Sequence, residues 1–281
     1  GKQTGMMMMQ IEDIVTEQKP DAILVYGDTN STLAGALVGA KLHIPVFHIE
    51  AGLRSYNKSM PEEINRVLAD HVSDMFFIPS ETARKNLENE GIYDNIFNVG
   101  DVMYDMILLA KKNGLLKSNK KSDYYYVTLH RPYNVDDKNR LKELLNLLNS
   151  LDKKAVFSIH PRTRNKMKNF GLNIEDYKNI MFIDPVSYFD NINFIYNSTG
   201  LITDSGGMQK EAYWLKKKCV TVRSETEWIE TLENGWNHLA FDDLNTIPDL
   251  IKLEPGTYFE NIYGDGKAAE KIKTKIIEFF K

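Results

Sequence analysis

Ten short apolar runs, most of them rich in β-branched or aromatic residues, alternate along this chain with longer segments of helical spacing. Four runs (residues 22–26, 46–49, 75–78 and 96–99) come before residue 114. Six more (124–130, 155–160, 180–183, 200–203, 219–222 and 238–241) come after it. Helical patterns lie between them, for example at 33–42, 61–72, 82–90 and 141–148. Strand, helix, strand repeated in this way builds parallel sheets covered on both faces. The expected fold class is α/β, with two doubly wound domains. Residues 114–121, with Gly114, Ser118, Asn119 and three lysines, read as the linker. The first domain then spans 1–113.

The halves are unequal. The second holds enough strands for a full doubly wound sheet. The first holds about four and opens inside a helical pattern at 6–18. A doubly wound sheet begins with a strand and its phosphate-binding turn. The first domain is therefore expected to be incomplete, with its first strands missing.

The net charge of −4 argues against a sequence-independent nucleic-acid binder, so any anion site must be local. Cys219 is the sole cysteine, which excludes an internal disulfide and a thiolate metal cluster. A cytoplasmic setting fits. No apolar run approaches the length of a membrane span. His43, His48, His71 and His238 have no metal-ligand spacing and read as structural or surface residues.

In open parallel sheets, ligands bind beyond the C-terminal strand ends. Here those ends carry Gly27-Asp28-Thr29-Asn30, Glu50-Ala51-Gly52-Leu53-Arg54, His130-Arg131-Pro132-Tyr133-Asn134 and His160-Pro161-Arg162-Thr163. Asp204-Ser205-Gly206-Gly207 and Arg223-Ser224-Glu225-Thr226-Glu227 complete the set. The glycines after Asp204 let a ligand approach the backbone, and the helix that follows points its first N–H groups at an anion. A phosphate or pyrophosphate fits there; an ordinary turn capped by Asp204 or Ser205 fits as well. Asp28 reads either as a functional carboxylate or as a helix cap. Glu62 follows Ser59 at capping-box spacing with Pro61 in the first turn, so it has a structural reading beside its catalytic one. Glu50 ends a buried strand, where it must pair with a cation such as Arg54 or act as an acid or base. Arg131, Arg162 and Arg223 read as surface ion pairs or as bidentate phosphate ligands.

Together with Pro61-Glu62-Glu63-Ile64-Asn65-Arg66 and Tyr263-Gly264-Asp265-Gly266, these motifs occur in an order and spacing that resemble the bacterial and archaeal non-hydrolysing UDP-N-acetylglucosamine 2-epimerases. The resemblance runs from Gly5 to near the C-terminus. It implies a glycosyltransferase-B-like fold of two Rossmann-like domains with the active site in the cleft between them. The second domain would span 114–265, and a last helix within 266–281 would cross back to the first. The family's opening strand and its basic turn have no counterpart here, in keeping with the strand count.

The implied activity interconverts UDP-N-acetylglucosamine and UDP-N-acetylmannosamine through elimination of UDP, a 2-acetamidoglucal intermediate and re-addition. Asp28, Glu50, Glu62 and His130 match the family's acid–base and catalytic positions. Ser205, Gly206 and Gly207 match the diphosphate cradle, and Glu211 the ribose carboxylate. Arg54, Arg131, His160, Arg162 and Arg223 would line the UDP side. No cofactor or metal is implied. The partners are the UDP-sugar and UDP, with no nucleic acid and no membrane, and the family points to a homodimer. One departure stands out: Tyr133 occupies a place where the family often has Glu. With Thr226-Glu227-Trp228-Ile229-Glu230 and Asn234-Gly235-Trp236-Asn237, it resembles the branch acting on UDP-2,3-diacetamido sugars. A glycosyltransferase of similar fold and an inactive UDP-binding fragment are the other readings.

Overall fold

A computed structural model of the chain describes residues 1–119 and 123–281. In chain order the elements begin α1 (Lys2–Gln18), β1 (Ile23–Tyr26), α2 (Asn30–Lys41), β2 (Val46–Ile49), α3 (Pro61–His71), β3 (Met75–Ile78), α4 (Glu81–Asn89), β4 (Ile96–Asn98) and α5 (Val102–Lys112). They continue β5 (Tyr124–Thr128), α6 (Pro132–Val135), α7 (Lys138–Asn149), β6 (Lys154–Ser158), α8 (Pro161–Phe170), β7 (Ile180–Ile183) and α9 (Tyr188–Asn197). The last are β8 (Gly200–Thr203), α10 (Gly206–Trp214), β9 (Lys218–Thr221), β10 (Asn237–Leu239), α11 (Ile247–Leu250) and α12 (Ala268–Phe279). All ten apolar runs form strands. The chain divides into two compact units, one of Gly1–Asp105 with Asn261–Lys281 and the other of Met106–Glu260.

The first unit carries a four-stranded parallel sheet in the order β1-β2-β3-β4. β3 is buried at every position, as a parallel strand covered on both faces must be. Its core joins Phe47, Met75, Phe77 and Val99 to Ile272 of α12. The rings of Phe279 and Phe280 also close on Phe47, at centroid distances of 5.0 and 6.1 Å. The second unit carries six parallel strands in the order β10-β9-β8-β5-β6-β7. Counted within the unit this is 6-5-4-1-2-3, the doubly wound dinucleotide-fold order. The direction of winding reverses between β5 and β8, and a crevice opens at that point in such sheets.

The stretch read as a linker is described as far as Asn119; Lys120 and Lys121 lie outside the described residues. The described part is bound to α9. Asn193 Nδ2 donates to the Leu115 carbonyl at 2.7 Å and Asn197 Nδ2 to that of Lys117 at 2.9 Å. Among the described residues, no helix is long and apolar enough to cross a membrane.

Candidate active site

In the first unit the acidic residues gather beyond the ends of β1 and β2. Gly27 takes φ 69°, and its N–H donates to the Ile49 carbonyl at 3.1 Å, so the two strand ends turn together. Asp28 does not cap α2. Thr29 does, in a reciprocal box with Thr32. The Asp28 carboxylate is left to pair with the buried Arg66, and Asn65 Nδ2 holds the Asp28 carbonyl at 3.0 Å. Glu50 has φ 70°, a left-handed backbone that a non-glycine residue adopts at a cost and that clusters at functional sites. Its carboxylate lies over Gly27, where an added Cβ would sit 3.5 Å from Oε2.

Glu62 stands in the first turn of α3, half-buried. The capping box expected for Ser59 and Glu62 is not formed. Met60 is the N-cap, Pro61 opens the helix, and the Ser59 hydroxyl donates to Asn57 Oδ1 at 2.6 Å instead. Glu63, which the sequence reading left without a role, accepts from the Ser55 and Tyr56 N–H groups at 2.9 Å each. It also pairs with Arg66 at 3.2 Å. The i, i+3 spacing of Glu63 and Arg66 was the available signal.

Arg54 is a correction. Its side chain is buried, with NH1 on Asp70 Oδ2 at 2.7 Å and a bidentate grip on Glu90 at 2.7 and 2.7 Å. Its hydrogen bonds therefore go to Asp70 and Glu90 and not to Glu50, as one reading had it. Asp70 in turn contacts His48 Nδ1 at 2.7 Å and accepts from the Gly52 N–H at 3.1 Å. His48 Nε2 meets the Gly27 carbonyl at 2.8 Å. Burial alone would lower the His48 pKa, but the Asp70 carboxylate outweighs it and carries the value above 6.5. Burial alone would raise Asp70, but His48 and Arg54 hold it below the usual carboxylate range.

In the second unit the residues converge on the reversal between β5 and β8. Asp204, fully buried, staples the loop after β5. It accepts from the N–H groups of His130 at 3.0 Å and Arg131 at 2.9 Å, and from Asn134 Nδ2 at 3.1 Å. It also faces His130 Nδ1 at 3.0 Å. At that distance the buried carboxylate lies beside the imidazole ring. His160 caps α8 through Nδ1, which accepts from the Arg162 N–H at 3.1 Å, and its ring centroid lies 5.5 Å from that of His130. Burial, then His130, hold His160 below the ordinary histidine value. Arg162 is exposed and paired with Asp136.

Because Asp204 is committed to that loop, it does not cap α10, nor does the side chain of Ser205. The Ser205 N–H donates to Thr203 Oγ1 at 3.0 Å, so the backbone donors suited to an anion at this helix N-terminus are those of Gly206 and Gly207. Arg223 lies against it. The guanidinium is buried and paired with Glu227 at 2.9 Å, and a Cβ on Gly206 would come within 2.6 Å of Glu227 Oε1. Glu211 is buried further along α10. Lys210, also unassigned from sequence, places its ammonium 3.6 Å from the centre of the Trp228 ring, and Thr226 donates to Gln209 Oε1 at 2.8 Å. These contacts fasten the loop carrying Arg223 and Glu227 to α10. Tyr133 packs edge-on against Phe241 at 5.5 Å, and burial pushes its phenol up to about 12, so it stays neutral. Among the described residues, no group of three or more His, Cys, Asp and Glu is placed to hold a metal ion.

A family model described as UDP-N-acetylglucosamine 2-epimerase matches residues 1–277. A UDP-N-acetylglucosamine 2-epimerase homolog of Methanococcus maripaludis is 47% identical over 97% of this chain and 80% of its own length. The UDP-2,3-diacetamido-2,3-dideoxy-D-glucuronate 2-epimerase of Pseudomonas aeruginosa is 43% identical over 97% of this chain and 79% of its own. The crystal structure of the Methanocaldococcus jannaschii UDP-GlcNAc 2-epimerase in complex with UDP-GlcNAc and UDP superposes with a TM-score of 0.90 at 41% identity, over 99% of this chain and 81% of that one.

Proposed function

This chain belongs to the UDP-N-acetylglucosamine 2-epimerase family, and we propose that it inverts C2 of a UDP-linked 2-acetamido sugar by eliminating UDP and adding it back. The C2 hydrogen is not adjacent to a carbonyl carbon, so enolisation cannot labilise it. A base instead removes the C2 proton while the C1–oxygen bond to the diphosphate breaks, leaving a 2-acetamidoglucal and UDP. UDP oxygen then re-forms the bond at C1 as a proton is delivered to the opposite face of C2. This scheme needs an acid and a base on two faces and a fixed anchor for the departing diphosphate.

The observation that carries the reading is the uncapped α10 N-terminus at the sheet reversal, with His130 beside the buried Asp204. In our assignment Ser205, Gly206 and Gly207 take the diphosphate, Glu211 the ribose, and Arg131, His160, Arg162 and Arg223 supply surrounding positive or donor groups. Asp28, Glu50, Glu62 and His130 share the proton transfers. Glu50 is placed first as the base, because its costly backbone conformation is the mark of a residue held for function.

The test is turnover in deuterated water followed by proton NMR. Appearance of the manno sugar with deuterium at C2 is the expected result. Glu50→Gln should lower the rate by at least about a hundredfold, the usual scale for losing a general base. A variant with wild-type turnover overturns the assignment of Glu50. Tyr133 supports a second substrate, a UDP-2,3-diacetamido sugar, since a neutral phenol stands where a carboxylate would pair with a cation. The two sugars run side by side decide between them by the ratio of kcat/KM.

A further inference from the structure

The buried polar chain beneath the first unit's carboxylates has no role in the scheme above. It links His48, Asp70, Arg54 and Glu90, drawn from β2, α3, the loop after β2 and the residue after α4. Its hydrogen-bond arithmetic is restrictive. A carbonyl only accepts, so the contact with Gly27 O makes His48 Nε2 a donor. Asp70 Oδ2 already accepts from Arg54 NH1 and the Gly52 N–H, and Oδ1 faces His48 Nδ1 at 2.7 Å. Either the ring donates from both nitrogens to a carboxylate, or a neutral ring accepts from a carboxylic acid. A guanidinium on Oδ2 favours the carboxylate and hence the imidazolium.

The charged groups around the ring are Asp70 from α3, Glu50 and Arg54 beyond β2, and Glu90 behind Arg54. Asp28 stands next to Gly27 and is paired with Arg66. Through this one ring, the Gly27-Asp28 turn is tied to Asp70, and through Asp70 to the Gly52 N–H of the turn that carries Glu50. Glu50 itself rests on Gly27.

We propose that His48 and Asp70 form a buried imidazolium–carboxylate pair that holds the turns bearing Asp28 and Glu50 at the spacing needed for proton transfer at C2. Both are positioning residues, and the assignment rests on the epimerase reading. It separates from a general stabilising role by where the damage falls.

Two measurements on the full chain test it. Nitrogen-15 histidine NMR, with the His48 signals assigned by their loss in His48→Gln, should show both ring nitrogens still protonated at a pH above the ordinary histidine value. In Asp70→Asn the amide can donate to Nδ1, so His48 should become neutral while keeping its bond to Gly27. A deprotonated Nδ1 in the unaltered chain overturns the ion pair. In kinetics, glutamine cannot donate to both partners, so His48→Gln should lose at least about tenfold in kcat, with KM and the UDP dissociation constant within about twofold. Asp70→Asn, which preserves both bonds, should recover most of kcat. Unchanged kcat in His48→Gln, or an equal loss of UDP binding, overturns the positioning role. An unaltered chain that turns over neither sugar defeats the activity reading, while the NMR result still decides the pair.

Discussion

His48 and Asp70 tie the stability of the first unit to pH, and the sign follows from the directions of their shifts. The His48 value is raised in the folded chain, so its contribution is complete below 6.5 and is lost as pH rises through the folded value. Asp70 is lowered, so its contribution is complete above 3.8 and is lost as pH falls through the folded value. Between 3.8 and 6.5 both are in force. The denaturant midpoint should therefore be highest in that window and decline on either side of it. Asp70→Asn removes the carboxylate and the cause of the raised imidazole, so both limbs should flatten. Unaltered limbs in that variant would place the pH dependence elsewhere. Removing one partner of such a buried pair also costs about 3–5 kcal/mol when the other charge is stranded. Asparagine avoids most of this because the ring can give up its proton. None of the network was legible from the sequence. Its partners stand 16, 22 and 36 residues apart, and no local pattern connects them.

At the scale of elements, α10 shows how one commitment frees another. Asp204 would be an ordinary helix cap, but its carboxylate is saturated by the loop after β5, so the first turn of α10 keeps its donors for a ligand. Gly206 is required there by Glu227, whose Oε1 would stand 2.6 Å from a Cβ. Gly206→Ala must push the carboxylate aside, loosening the Arg223 pair that lies against the same turn. We expect UDP affinity to fall by at least about tenfold, a loss of about 1.4 kcal/mol, measured by calorimetry. Affinity within twofold of the unaltered chain would remove this turn from the binding site. The strands were legible because parallel strands read as continuous apolar runs, even at β1 and β7, where Leu24 and Met181 are exposed. Their ends were less so. The runs at 124–130 and 155–160 outlast the ladders of β5 and β6, since Leu129 and Ile159 stay buried beyond the last paired residue. Caps were misplaced for a related reason. Asp28 and Ser59 have capping chemistry, but Arg66 and Asn57 claim their side chains, and Thr29 and Met60 take the N-cap positions. The candidate site residues were visible in the sequence as clusters at strand ends. What the sequence did not show is the burial of Arg54 and its pairing with Asp70 and Glu90.

The whole molecule is two units, one of them discontinuous in sequence. The chain leaves the first unit after Asp105 and re-enters it at Asn261, and the two crossings are fixed within that unit. The Asp101 N–H donates to the Tyr263 carbonyl at 2.9 Å, and Gly100 and Gly264 pass so closely that a Cβ on either would lie 2.7 Å from the other's Cα. Asp105 then caps α12 from a distance, accepting from Ala268 and Ala269 N–H groups at 3.1 and 2.9 Å. With its start held, α12 lays Ile272, Phe279 and Phe280 against Phe47 and completes a core that residues 1–105 leave open. The carboxylates therefore depend on the last helix for a firm sheet beneath them, whereas the residues we propose for the phosphate side lie wholly within Met106–Glu260. Stability and UDP binding should thus respond to different perturbations. Phe279→Ala, at a ring 41% exposed, should cost about 1–2 kcal/mol through the lost packing on Phe47. It should leave the UDP dissociation constant unchanged. Saturating UDP, at a hundredfold its dissociation constant, should add about 2.7 kcal/mol to the unit that binds it. In scanning calorimetry, two resolved transitions are expected, one lowered by Phe279→Ala and the other raised by UDP. A single transition shifted by both would mean that the two units unfold as one, and the last helix would then support the phosphate side as much as the carboxylates.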